Sequence, residues 1–232
     1  RGRIITPLKD RFGAEIRTHY PLELDDEIAV IEQEADLTAT VPTFLTEILA
    51  RFTRYARDHP SIDQRSGVSA RFSIAGAETV AAAALHRSAV TGEEMPVARV
   101  VDLESVIDVL RGKIEFESGE EGRELEILAH LLRKSTADTV RAHLGGIDLA
   151  PLVSALEESE PVVTGDRITA ARFLDSLPSA ERVGSVVADI ARRLDATSDG
   201  ERASAVELAL EGLFLARRIG KEADETGQTI YG

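Results

Sequence analysis

Apolar residues recur at three- and four-residue spacing along almost the whole chain, and short runs of Pro and Gly interrupt them. That period lines up one face of a 3.6-residue helix, whereas a half-buried strand needs strict alternation. Leu24, Ile28, Ile31 and Ala35 form the first face. Asp25, Asp26 and Glu27 sit in its opening turn, where carboxylates complement the helix dipole. Phe44, Leu45, Ile48, Leu49, Phe52, Tyr55 and Ala56 form the second, which opens at Pro42 and stops at His59-Pro60. Ser69 then offers a cap for a long Ala-rich helix that runs to Thr91-Gly92. Further helical faces fall at 102–110, 125–144, 151–156, 168–177, 183–194 and from Val206 to about Glu222. Thr226–Gly232 has no period and is expected to be loose.

One segment reads differently. Residues 14–20 alternate polar and apolar up to Pro21, the pattern of a short strand. The expected fold is therefore mainly α, with one short strand near the N-terminus. No repeat of fixed period is visible, which excludes a solenoid. Three glycines separated by charges at 112–122 mark the best boundary, and Ile114 and Phe116 within it suit a short docked extended piece.

Composition narrows the function. Hydrophobic residues make up 43% of the chain but aromatic ones only 4%, so small aliphatic side chains must fill a helical core. With no Cys, disulfide frameworks and thiolate metal sites are excluded. No apolar run approaches the roughly 18 residues of a membrane helix. Cysteine usage and the absence of a secretory pattern fit a cytoplasmic protein. A net charge of -14 argues against nucleic-acid partners, and so against a helix-turn-helix regulator, because phosphate backbones are bound by Lys and Arg. The opening is an exception: Arg1, Arg3, Lys9, Arg11 and Arg17 outnumber Asp10 and Glu15.

Two arginines are candidates for phosphate chemistry, although spacing alone reads Asp10 and Arg11 as a surface ion pair. Arg11 lies in Leu8-Lys9-Asp10-Arg11-Phe12. A guanidinium offers a fixed planar fork to the charge that builds on phosphate oxygens during phosphoryl transfer. Arg71 lies in Ser69-Ala70-Arg71, at the start of the Ala-rich helix. Positive charge is unfavourable at that end of a helix unless an anion faces it. Arg3 and Arg65 are the reserve candidates. Glu126 and His130 share a helix face at i, i+4, but two residues do not make a metal site and a solvated face is the simpler reading. The stretch 112–122 is no phosphate loop, since it lacks Gly-Lys-Ser/Thr and is acidic.

Leu8, Asp10, Arg11 and Phe12, followed some sixty residues on by Ser69-Ala70-Arg71, resemble the AAA+ ATPases of the magnesium-chelatase I-subunit and MoxR group. The resemblance implies a C-terminal portion of such an ATPase. Residues 1–21 would end the AAA+ core, 22–112 would be its helical lid, and 113–232 a C-terminal helical region that the resemblance covers more loosely. It implies that Arg11 is an arginine finger acting in trans and that Arg71 is the sensor-2 arginine contacting ATP phosphates in cis. ATP and Mg²⁺ would be the cofactors of the full-length parent, and this portion alone would be inactive. The implied partners are further copies in a homo-oligomeric ring, a hexamer, and a protein with a von Willebrand factor A domain. The competing reading from the residues is a helical interaction adaptor with no nucleotide role.

Overall fold

A computed structural model describes residues 11–14, 16 and 18–232. These form nine α-helices, one 3-10 helix and a small sheet: α1 (Leu24–Glu34), α2 (Thr43–Asp58), α3 (Arg71–Thr91), the 3-10 helix (Val100–Ser105), α4 (Val106–Arg111), α5 (Glu124–Leu144), α6 (Ala150–Glu157), β1 (Val162–Thr164), α7 (Ala170–Asp175), α8 (Glu181–Arg193), α9 (Asp199–Leu215), β2 (Lys221–Ala223) and β3 (Thr229–Tyr231). The mainly α expectation holds. The described residues of 14–20 lie in no strand, and Glu15 and Arg17 fall outside the described set.

Helix α9 is central because it is buried on every side. Every residue from Ala203 to Leu213 is buried, and Leu208 and Leu210 are fully so. Each such side chain contributes about 1.5–3 kcal/mol of burial. Helix α9 packs on α5, α7 and α8, and α5 in turn packs along α2. Helices α1, α2 and α3 pack together, and α3 also meets the 3-10 helix and α4. One apolar cluster runs from Ile31 to Tyr231, so helices on both sides of residue 112 share a core. The piece 114–116 docks as its composition suggested. Phe116 bridges Ile62, and Asp63 N–H donates to the Glu115 carbonyl at 2.9 Å.

The C-terminus departs from the sequence reading. Helix α9 stops at Leu215, not near Glu222, because Arg217 turns into the left-handed region at φ 58 and its N–H returns to the Phe214 carbonyl. Residues 229–231 are not loose. They form the middle strand of an antiparallel sheet ordered β1-β3-β2, with Tyr231 opposite both Val162 and Lys221. Strands of three residues are too short to show a period in sequence.

Two local features set the frame of α9. At its start Ser198 and Glu201 form a capping box, and the Glu201 carboxylate also accepts from Thr197 N–H at 2.9 Å. These bonds, the Ser198 N–H first, pull the Glu201 carboxyl down to about 2. Further along, a Cβ at Gly212 would lie 2.5 Å from Val140 Cγ1 and 3.0 Å from Cγ2, so α9 approaches α5 through a missing side chain.

Glu201→Gln is expected to cost about 1 kcal/mol in urea unfolding at neutral pH. Because the folded carboxyl is depressed, the wild-type advantage is present above the ordinary value of 4.5 and disappears as pH falls through about 2. Gly212→Ala should cost about 1–3 kcal/mol in the same measurement, despite the better helix propensity of Ala. Adding Val140→Ala should recover part of it; no recovery would mean that close packing there is not the cause.

Candidate functional site

The geometry around the start of α3 begins with a buried ion pair. Glu27 on α1 is fully buried, which a carboxylate tolerates only when paired and hydrogen-bonded. Arg57 on α2 meets it with both ends of its fork, at 2.5 Å and 3.0 Å. Arg57 Nε donates to the Val68 carbonyl at 3.0 Å, in the loop that leads into α3. Ser73, in the first turn of α3, donates its hydroxyl to Glu27 at 3.0 Å. The Tyr20 ring covers the guanidinium at 4.1 Å. One pair thus fixes the chain before α1, the loop 61–70 and the first turn of α3.

Tyr20 closes against Gly67, whose φ of +72 needs glycine and where a Cβ would stand 2.6 Å from the Tyr20 hydroxyl. Between them lies a groove of about 390 Å³ lined by Tyr20, Ser66, Ser69, Lys113 and Glu115. Ser66 donates to Glu115 at 2.5 Å across its rim.

Arg71 is the first residue of α3 and is exposed. Among the described residues it makes no ion pair, and it follows Ser69, which lines the groove, by two positions. Ser69 does not cap the helix. Ala70 occupies the cap position with no side-chain bond, and the Ser69 carbonyl instead accepts from Phe72 N–H at 3.0 Å. Arg65 is taken by Asp63, through Nε at 3.2 Å. The Arg65 backbone N–H and side chain hold that carboxyl below its usual range. Arg11 lies in an exposed turn, with no hydrogen bond joining it to Arg71 among the described residues. Leu8, Asp10 and Arg3 lie outside the described residues. Phe12 and Ile16, which also precede α1, are 66% and 85% exposed.

Glu126 faces Arg123 at 3.8 Å, and no group of three metal-ligating side chains occurs among the described residues. Partial burial, with the charge of His130 adding to it, lowers the His59 imidazole below its ordinary value.

Sequence reasoning missed a second concavity, about 440 Å³, walled by Leu103, Ile107, Leu132 and Phe214. Glu211 and Lys221 meet there at 2.9 Å, and Tyr231 donates to Glu211 at 2.6 Å. Burial pushes the Tyr231 hydroxyl far up, so it stays protonated as that donor. The available signal was Glu211 itself, a carboxylate in the apolar run 203–215. Compared with family models, curated proteins and solved structures, the chain matches none.

Breaking the pair at the groove by Arg57→Met is expected to cost about 3–5 kcal/mol in urea unfolding, since it strands a buried carboxylate. Glu27→Leu with Arg57→Met should restore most of that. If the double variant is no more stable than the single one, the stranded charge is not the cause.

Proposed function

We propose that this chain is the lid-bearing C-terminal portion of an AAA+ ATPase of the magnesium-chelatase I-subunit or MoxR type. One observation carries the reading. Arg71 stands exposed at the first position of α3, two residues after Ser69, which lines a groove together with Tyr20. A helix N-terminus with an arginine on it suits an anionic ligand such as a nucleotide phosphate. The exposed apolar residues Phe12, Ile16 and Leu22 support packing of the segment before α1 against the rest of the AAA+ core.

On this reading Arg71 contacts ATP phosphates in its own subunit. Arg11 reaches the nucleotide of a neighbour in a homo-oligomeric ring, and ATP and Mg²⁺ are held by the core. The lid changes its position because its contacts differ between nucleotide states. The work is chaperone-type remodelling or metal insertion in the cytoplasm, with a von Willebrand factor A-domain partner.

The test is made in the protein that includes the core. Arg11→Ala should lower ATP turnover about a thousandfold or more while nucleotide affinity stays close to wild type. Arg71→Ala should weaken nucleotide binding itself, read by fluorescence of a labelled nucleotide. Wild-type turnover in both variants would sink the proposal, as would ATP hydrolysis by residues 1–232 alone.

A further inference from the structure

The groove leaves unused a set of charged side chains deep in the core. Arg99 is fully buried and Glu207, on α9, is 1% exposed. Arg99 Nε donates to Glu207 at 2.9 Å, and Nη1 donates to the Ile168 carbonyl at 2.7 Å. Its Nη2 reaches both Glu207 and Thr164 of β1. The Arg99 backbone N–H donates to Asp102 at 2.7 Å. Asp102 is shared with Arg87 of α3, through Nη2 at 3.1 Å and Nε at 3.3 Å. Arg87 also holds the Val97 carbonyl at 2.6 Å and Glu93 at 2.9 Å. The other Glu93 oxygen accepts from Ala170 N–H at 2.7 Å, where α7 begins.

Stability alone does not call for such a chain, because apolar replacements of similar volume serve as well or better. Its distinctive property is direction. Apolar contacts are non-directional and let packed elements slide, whereas charge-assisted bonds weaken steeply with misalignment. Helices α3 and α9 each pack on the 3-10 helix that lies between Arg99 and Val106. The bonds of Arg87, Asp102, Arg99 and Glu207 run across that same junction. Arg87 lies on the same rigid helix as Arg71, sixteen residues along, or about 24 Å.

We infer that the Arg87–Asp102–Arg99–Glu207 chain is a mechanical coupler that makes α3 and α9 move as one body, so that displacement at the Arg71 end reaches the C-terminal helices and sheet. The coupling stands on the core geometry alone; that nucleotide drives it rests on the function proposed above.

Native-state hydrogen exchange on residues 1–232 tests the coupling. In the wild type, amides of Val80–Ser88 and Leu208–Leu213 should open together, with the same dependence on urea. Arg99→Met with Glu207→Leu removes the bonds without stranding a charge. In that variant the α9 amides should exchange at least tenfold faster than those of α3. Thr164→Val, which removes the two bonds of the Thr164 hydroxyl and keeps the Arg99–Glu207 pair, should separate them in the same direction and covers failure of the double variant to fold. Equal acceleration of both segments, or independent opening in the wild type, overturns the coupler.

A second arm uses the protein with its core and a non-hydrolysable ATP analogue. The analogue should protect α9 amides in the wild type and not in the double variant, at unchanged nucleotide affinity. Binding without protection of α9 in the wild type overturns the transmission. Absence of any nucleotide binding overturns the ATPase reading instead, and the first arm still decides the coupler.

Discussion

A fully buried guanidinium sets the terms for the middle of this protein. A guanidinium donates and does not accept, so the N–H groups that Arg99 brings into the core call for acceptors. Glu207, Thr164 and the Ile168 carbonyl accept from its three nitrogens and come from three separate segments. The consequence is positional. Helix α9, strand β1 and the approach to α7 must converge on one point, and the 3-10 helix beside Arg99 must hold its turn so that Asp102 receives the Arg99 N–H. Phe173 closes the last side, with the guanidinium 5.3 Å from its ring. Burial raises the Asp102 carboxyl above its usual range even with Arg87 alongside. That environment is strongly desolvated, and there a misplaced bond is costly.

Helix α3 is held in this way at both ends. Near its start Ser73 joins the Glu27–Arg57 pair, and near its end Arg87 joins Asp102 and Glu93. Between the two, Gly76, Ala77, Ala81 and Ala84 are buried, and a Cβ at Gly76 would already lie 3.2 Å from Leu49. Small side chains let the helix lie close to α2 and α4, while the buried arginines fix where along its axis it sits. A helix so held behaves as a rod. This is the property that the proposed phosphate contact at Arg71 requires if binding there is to be felt elsewhere.

The helices were legible because each carries its own period, and the punctuation was legible where Gly or Pro supplied it. Gly92 ends α3 in the left-handed region at φ 76, as a glycine after a helical run should. Arg217 does the same job at the end of α9 without announcing it, so the expected helix ran on toward Glu222. The strands escaped notice because three residues carry no alternation and because β1 and β3 find each other across some sixty residues. In the candidate site, Arg71 could be singled out because a cation at a helix start violates a local rule. The Glu27–Arg57 pair that positions it could not, since Glu27 reads as an ordinary first-turn carboxylate complementing a dipole.

By itself the sequence determined the class of fold and the number and rough extent of most helices. These follow from interactions within a few residues, between side chains one turn apart and between a helix end and its neighbours. Tertiary structure alone decided which carboxylates are buried and with which arginine each is paired. It also decided that the tail from Lys221 to Tyr231 returns to β1, and that helices on both sides of residue 112 share one core. The physical reason is that desolvation makes a charge select its partner in space. Glu207 and Arg99 are 108 residues apart, and no local pattern records that each is the other's buried counter-charge.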